Sequence, residues 1–334
     1  MLMLKKTIAA LSLLSILAAC QNDENPSQPE PKPRQDINLT RAEQEFMDKG
    51  TDFAFRFFDQ VCSTEKEKPN VFVSPLSASL CLSMITNGAT DNTLAEMQDV
   101  LGFPANTFSL DDLNNYNQKL TSALLDLDNT TQLGIANSIW IEEGFKVYDS
   151  FVDVNKKMYD AQVQELDFTS PTAKDVINQW CATQTNNCIK EVIQEIPADA
   201  RMYLINALYF KGIWKSQFDK SATGQDNFTN VDGSQQKVAM MNQTATFNYT
   251  QTDDFSIAEL PYGNEAFSMV ILLPSGDKTL DESLPSLNYE NWKQWSKNMV
   301  GKELQIKLPR FKVEYDKELE EDMIAMGMKD AFDA

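Results

Sequence analysis

The run MYLINALYFK, residues 202–211, constrains the fold of this chain more than any other segment. Apolar side chains occupy both of its alternating faces, a pattern typical of a central strand that is covered on both sides. Its one buried-type polar residue is Asn206. An unpaired buried amide costs about 1–3 kcal/mol, so we expect this side chain to meet a hydrogen-bond partner, a sheet edge or a water molecule.

The order of the predicted elements indicates an α+β protein. Helical periodicity dominates the first half of the chain and strand patterns dominate the second half. The segments FSIAELPY and FSMVILLP look like paired strands, and ELQIKLPRFKVEY looks like another strand. The chain shows no repeat period and no interior linker, so we expect one folded domain.

Three helices are predicted near the start of this domain. Thr40 and Glu43 form a capping-box pattern before a helix that has one strongly apolar face, formed by Phe46, Phe53, Phe57 and Val61. The segment NVFVSP predicts a short strand that stops at Pro75, and the nearly all-apolar run after it predicts a buried helix. A third helix is predicted to be capped by Asp91 or Asn92.

The composition excludes several classes of function. The chain of 334 residues contains no histidine, which removes Ser-His-Asp and Cys-His catalysis and histidine-containing metal sites. Its formal net charge of -20 disfavours binding to nucleic acid, whose phosphates would repel it. We therefore expect no nucleic-acid partner, no metal and no other cofactor.

No catalytic motif stands out either. Two S-x-x-K matches, Ser63 to Lys66 and Ser275 to Lys278, lie in polar, loop-like stretches and lack the companion motifs of the penicillin-recognising enzymes. We interpret both as chance and expect the protein not to be an enzyme. A hydrolase that uses paired carboxylates stays open as an alternative, because carboxylates are plentiful.

The N-terminus has the pattern of an export signal. Residues 1–19 are predicted to be a lipoprotein signal peptide, with Lys5 and Lys6 before an apolar run too short to span a bilayer comfortably. The ending LAAC resembles the bacterial lipobox, which implies cleavage before Cys20 and lipidation of its sulfur. An ordinary signal peptide with a chance cysteine is the alternative.

Residues 20–36 are predicted to be an acidic, proline-rich tether, and residues 37–334 the folded domain. Asp23 and Glu24 resemble surface-export signals of some Gram-negative lipoproteins. We therefore expect lipid anchoring to the outer membrane at the bacterial cell surface, with the membrane as one partner.

The remaining cysteines are Cys62, Cys81, Cys181 and Cys188. An oxidising compartment would permit pairing. Cys181 and Cys188 would lie about 10 Å apart on a straight helix, too far for a disulfide unless the helix ends between them. A bridge between these two and a set of four free thiols both stay open.

Many of these segments resemble serpins, the serine protease inhibitor family. The resemblance is carried, in the family's order, by NVFVSPLSASLCLSMITNGATDNTLAEMQDVLGF, ANSIWIEEGFKV, INQWCATQTNNCI, LINALYFKGIWKSQF, VAMMNQTATF, IAELPY, FSMVILLP, IKLPRFKVEY and MGMKDAF. It extends from about Thr40 to the end of the sequence. It implies the serpin fold, in which an N-terminal helical cluster packs on three β-sheets, the main one mixed.

The resemblance also implies a function. A serpin offers an exposed reactive loop to a target serine protease, or in some cases a cysteine protease, and is cleaved. The loop then inserts into the main sheet as an extra strand while the protease is still acylated to it, which traps the protease. Such an inhibitor acts as a monomer and needs no catalytic residue of its own. A serpin-fold surface protein that binds without inhibiting is the alternative.

Five residues match named positions of the family. Ser74, Ser77 and Asn206 match the shutter, where the strands of the main sheet part, and Trp214 and Arg310 match the breach, where the loop enters. We therefore expect Asn206 to form hydrogen bonds with the two serines. The alternatives are that the serines cap the following helix and that the tryptophan belongs to the core.

The sequence departs from the family at its end. Serpins continue after the final AF with another main-sheet strand, a hinge, the reactive loop and closing strands, whereas this sequence stops at Ala334. The resemblance thus implies a serpin domain truncated before its reactive loop, with open sheet edges. We expect this chain by itself to be inactive as an inhibitor.

Overall fold

The structure is a computed structural model that describes residues 30–104 and 107–333. Cys20, the signal peptide and the first part of the tether lie outside the described residues. The elements, in chain order, are α1 (Arg41–Thr64), α2 (Pro75–Thr86), α3 (Asp91–Leu101), α4 (Leu110–Asp126), β1 (Gln132–Glu142), α5 (Asp149–Tyr159), β2 (Gln162–Leu166), α6 (Ala173–Gln184), β3 (Met202–Lys211), β4 (Gly224–Thr229), β5 (Gln235–Gln251), β6 (Phe255–Pro261), β7 (Ser268–Pro274), α7 (Leu280–Ser283), α8 (Tyr289–Lys297), β8 (Val300–Pro309) and α9 (Glu320–Met326).

The first sheet is mixed and has the strand order β2-β1-β3. Strand β1 runs parallel to β2 and antiparallel to β3. On one face of β3, Tyr203 and Ile205 pack with Trp180 of α6. On the other face, Leu204 packs against a cluster that contains Leu80 of α2. The prediction that both faces of this run are covered is confirmed.

The predicted central position of β3 is not found in the described residues, where this strand pairs with β1 and forms an edge of the sheet. The reason is physical. Apolar residues on alternating positions report what covers the two faces of a strand. They carry no information on whether a second strand is hydrogen-bonded alongside it.

The second sheet has the order β4-β5-β6-β7, with β8 also paired to β5. The predicted pairing of FSIAELPY with FSMVILLP is confirmed as the antiparallel pair β6 and β7. Strand β5 pairs with β4 through its first half and with β6 through its end, so it joins the two halves of this sheet. The predicted strand ELQIKLPRFKVEY ends earlier than expected, at Pro309.

The helical cluster matches its sequence patterns closely. The capping box of Thr40 and Glu43 is present at the start of α1, and the four residues of the predicted apolar face are buried. Two local predictions are wrong. The segment before Pro75 is extended without being a strand. The N-cap of α3 is Thr90, so Asp91 and Asn92 are already helical.

The four cysteines within the described residues are free thiols. Helix α6 does end at Gln184, between Cys181 and Cys188, which is the break that a bridge would require, yet no bridge forms. Of the two possibilities left open by the sequence, the structure shows the free thiols. Among residues 30–104 and 107–333, no helix is long and apolar enough to cross a membrane.

Candidate shutter and breach

Asn206 meets another asparagine rather than a serine. It lies directly opposite Asn137 in the antiparallel register of β1 and β3. The Nδ2 group of Asn206 donates a hydrogen bond to Oδ1 of Asn137 at 2.8 Å. Its own Oδ1 is buried and has no hydrogen-bond partner in the part of the chain that the structure describes. The amide of this apolar strand is therefore paired on one side only.

The two shutter serines bond to each other. The backbone N–H of Ser77 donates to Oγ of Ser74 at 3.3 Å, and the hydroxyl of Ser74 donates to Oγ of Ser77 at 3.0 Å. Ser74 is thereby the N-cap of α2, which was the alternative to the family role. Ser77 is buried.

The predicted hydrogen bonds from Asn206 to the two serines are wrong for the described structure. Residues opposite each other in an antiparallel pair have Cβ atoms about 4.5–5.5 Å apart, which suits a direct contact between two short amides. The first unpaired backbone N–H groups of α2 compete for the serine hydroxyls. Nδ2 of Asn206 therefore bonds to Asn137, and the two serines bond to each other. The shutter role of all three residues stays a prediction.

The side-chain amide of Asn137 also forms a hydrogen bond on the side away from Asn206. Its Nδ2 donates to the backbone carbonyl of Tyr159 at 2.7 Å. The hydroxyl of Tyr159, at the end of α5, donates to Oδ1 of Asn114 at 2.6 Å and accepts from Nδ2 of Asn117 at 3.3 Å. All four residues are buried. Sequence reasoning missed this group. The signal was present in α4, where Asn114 and Asn117 lie three residues apart on one helix face.

Trp214 lies in an aromatic cluster. Its ring stacks on Tyr262 with centroids 4.3 Å apart and meets the edge of Phe218 at 6.0 Å. The backbones of Trp214 and Tyr262 also form an isolated antiparallel bridge. Gly212 allows this approach, because a Cβ atom at that position would come within 2.6 Å of the Tyr262 ring.

Arg310 lies on a different element. It follows the last residue of β8, and its backbone N–H donates to the carbonyl of Ala239 in β5 at 2.9 Å. Trp214 is held by the residue that follows β6, whereas Arg310 is held by the first half of β5. The breach role of both residues stays a prediction. The residues described by the structure contain no cluster of His, Cys, Asp and Glu that could hold a metal ion.

Comparison with known proteins identifies the family. Residues 48–334 match the family described as Serpin (serine protease inhibitor). The chain belongs to the serpin family. An uncharacterized serpin-like protein of Methanosarcina acetivorans is 33% identical to this serpin over 287 residues, which cover 84% of this chain and 66% of the relative. Human Serpin B3 is 31% identical over 302 residues, which cover 84% of this chain and 77% of the relative.

Solved serpin structures confirm the fold. The latent state of tengpin, a thermophilic serpin, matches with a TM-score of 0.79 and 31% identity over 90% of this chain and 78% of that one. The native state of tengpin gives a TM-score of 0.78 and 29% identity over 91% of this chain and 76% of that one. The predicted serpin fold is thus confirmed, although the strands of the described residues form two sheets where the resemblance implies three. Serpins are generally protease inhibitors rather than enzymes, although some do not inhibit.

Proposed function

We propose that this protein is a serpin-type protease inhibitor that acts by suicide insertion of a reactive loop into the sheet formed by β2, β1 and β3. The observation that carries the proposal is the match to the family over residues 48–334. The geometry of the sheet supports it. In the described residues β3 pairs only with β1, so its other edge offers backbone groups to which an extended segment can bond.

The proposed targets are serine proteases and, as a second group, cysteine proteases. The chain spans 66% of the archaeal relative and 77% of human Serpin B3. In serpins the bait segment follows the MGMKDAF motif, so the activity is proposed for the protein translated from the whole reading frame.

The experiment is a complex assay on the product of the complete reading frame, obtained by sequencing past codon 334. The protein is mixed with a panel of serine and cysteine proteases and analysed by denaturing electrophoresis. Inhibition by loop insertion predicts a covalent complex at the summed mass of the two proteins less the fragment on the C-terminal side of the cleaved bond, which is the leaving group and separates under denaturing conditions. A reading frame without a small-residue hinge, or cleavage without any complex, would instead indicate a serpin-fold surface protein that binds without inhibiting.

We further propose that the protein is lipid-anchored at Cys20 to the outer membrane of a Gram-negative bacterium and faces the outside. The sequence LAAC and the proline-rich segment after it support this location. The part of that segment within the described structure, residues 30–36, is exposed, and Lys32 bonds to Asp126 at the end of α4 and to Asn129 just after it. Labelling of the cysteines, with Cys20→Ser as the control, tests the anchor.

A further inference from the structure

A continuous series of buried and partly buried hydrogen bonds leads from Asn206 away from the sheet and into the helical cluster. It passes from Asn206 to Asn137, from Asn137 to the backbone of Tyr159, and from the Tyr159 hydroxyl to Asn114. Asn114 then donates to Oδ1 of Asn87, which follows α2, at 2.8 Å. Strand β3 is thereby connected through polar groups to the ends of α5 and α2 and to the middle of α4.

We propose that Asn137 and Tyr159 are positioning residues for Asn206. This series of hydrogen bonds holds β3 against β1 from the side of α4 and α5. The functional meaning rests on the proposed inhibitory activity, in which β3 borders the inserted strand. The family resemblance predicts Ser74 and Ser77 as the hydrogen-bond partners of Asn206. The hydrogen bonds of the structure assign the support of Asn206 to a different pair of residues.

The directions of the hydrogen bonds explain why Asn137 needs Tyr159. A side-chain amide has a donor end and an acceptor end. The backbone carbonyl of Tyr159 can only accept, so it fixes the Nδ2 end of Asn137 towards itself. The Oδ1 end must then face β3, where it accepts from Nδ2 of Asn206. A reversed Asn137 amide would bring two donor groups together at Asn206 and leave the Tyr159 carbonyl unpaired.

The hydroxyl of Tyr159 fixes the position of that carbonyl. Tyr159 is the last residue of α5, and the next residue, Asp160, has a left-handed backbone with φ of 51°. The backbone N–H groups of Asp160 and Ala161 cap this helix end by donating to the carbonyl of Asn155. The hydroxyl joins it to α4 by accepting from Asn117 and donating to Asn114. Burial raises the pKa of Tyr159 to about 12, so the hydroxyl keeps its proton at neutral pH and remains a donor.

Among residues 30–104 and 107–333, Oδ1 of Asn206 is buried without a hydrogen-bond partner, and the amide is oriented by the bond from its Nδ2 to Asn137. Loss of the Tyr159 hydroxyl should therefore weaken the pairing of β1 and β3 around residues 137 and 206. It should not reach β5 and β8, which belong to the other sheet.

The chain offers a matched control for this test. Tyr203 lies on β3 itself, three residues before Asn206, and is 3% exposed. Its hydroxyl is buried and has no hydrogen-bond partner among the described residues. Tyr159→Phe and Tyr203→Phe thus delete the same atom from two buried tyrosines. Only the first substitution breaks the proposed series of hydrogen bonds.

The experiment is amide hydrogen exchange, read by mass spectrometry, on the 334-residue chain and its variants. Peptides from β1 and β3 report the proposed site, and peptides from β5 and β8 are the internal reference. Removing a buried hydrogen-bonded hydroxyl leaves its partners unsatisfied, so Tyr159→Phe should speed exchange in β1 and β3 about tenfold relative to β5 and β8. Tyr203→Phe should leave this ratio unchanged.

Three results would overturn the proposal: an unchanged ratio in Tyr159→Phe, equal acceleration in both sheets, or the same effect from Tyr203→Phe. If Tyr159→Phe does not fold, Asn117→Ala removes the 3.3 Å bond to the hydroxyl while keeping the tyrosine, and it should change the ratio about threefold. No protease enters this measurement. Its failure is therefore distinguishable from a failure of the proposed inhibition, which the complex assay reads separately.

Discussion

Asp128 connects the loop after α4 to the turn that carries Tyr262. Its carboxylate accepts from the backbone N–H and the hydroxyl of Thr130 at 2.8 and 2.7 Å, and from the hydroxyl of Thr131 at 2.8 Å. It also accepts from the backbone N–H of Asn264 at 3.4 Å. A buried carboxylate needs such partners, because burial otherwise disfavours its charge. These bonds keep the pKa of Asp128 below its usual range despite the burial.

Gly263 is required at this junction for two reasons. Its φ of +37° lies in the left-handed region, and a Cβ atom would come within 2.1 Å of Thr130 Oγ1 and 2.2 Å of Asp128 Oδ2. Gly144 also has a left-handed φ, +79°, but a Cβ atom there would meet nothing within 4 Å. Alanine at Gly144 therefore has only the cost of the left-handed backbone, whereas alanine at Gly263 has that cost and a steric clash as well.

We expect Gly144→Ala to lower the free energy of unfolding by about 1 kcal/mol, the cost of a left-handed alanine. Gly263→Ala should cost about 1–3 kcal/mol more, because overpacking is added to the backbone cost. Urea unfolding followed by circular dichroism measures both values. Equal losses of unfolding free energy in the two variants would show that the residues around Asp128 move to accommodate the added methyl group.

At the scale of elements, an ion pair joins the start of α1 to α4. Lys119 Nζ lies 2.6 Å from the carboxylate of Glu43, which also accepts from the backbone N–H of Thr40 at 2.7 Å. The hydrogen bond from Lys119, followed by that from Thr40, lowers the pKa of Glu43 from 4.5 to about 2. The capping box and the contact between two helices thus depend on the same carboxylate.

This lowered pKa predicts a pH dependence. The folded state binds the Glu43 proton more weakly than the unfolded state does, so the ionised carboxylate stabilises the fold above about pH 4.5. That contribution is lost as the pH falls from 4.5 to about 2. Lys119→Met removes the largest cause of the shift and should make stability less dependent on pH in this window. Thermal unfolding at pH 7, 4.5, 3 and 2 measures the effect. An unchanged acid dependence in Lys119→Met would contradict this assignment.

The elements also show which local patterns were informative. The capping box and apolar face of α1 were predictable because both depend on residues three or four positions apart. The extended segment before Pro75 has the composition of a strand, yet no neighbouring strand pairs with it in the described structure. A strand requires a partner from elsewhere in the chain, which local composition cannot supply.

At the scale of the whole molecule, the cysteines divide into a lipidation candidate and four free thiols. Cys81 and Cys181 are buried, and Cys62 and Cys188 are partly buried. Burial raises the pKa of Cys62 to about 11 and those of Cys81 and Cys181 to about 12. Because the thiolate is the reactive form, these three should react slowly with alkylating reagents in the folded protein.

Cysteine labelling therefore tests both the thiols and the proposed anchor. In denaturant without reductant, the 334-residue chain, expressed in a Gram-negative host and isolated from its membrane, should take up four maleimide labels, since a lipidated Cys20 is blocked. In the folded protein Cys188 should react first. Cys20→Ser should leave the count at four but release the protein from the membrane fraction. Five labels in the unsubstituted protein would contradict lipidation, and fewer than four would indicate a disulfide.

The sequence by itself determined the α+β class, the serpin family and the burial of β3 on both faces. Family motifs and alternating apolar residues are written along the chain, so they can be read without knowledge of the fold. The same reading located Asn206 as the polar residue of the buried run. It could not identify the residue that pairs with it.

Only the tertiary structure decided that partner. Asn137 and Asn206 are 69 residues apart and meet because β1 and β3 pair in one particular register. A shift of that register by one residue would turn every side chain of β3 to the other face. The register depends on the packing of α2 and α6 against the sheet. The partner of a buried polar group is thus a property of the assembled sheet and helices, whereas the need for a partner is a property of the residue.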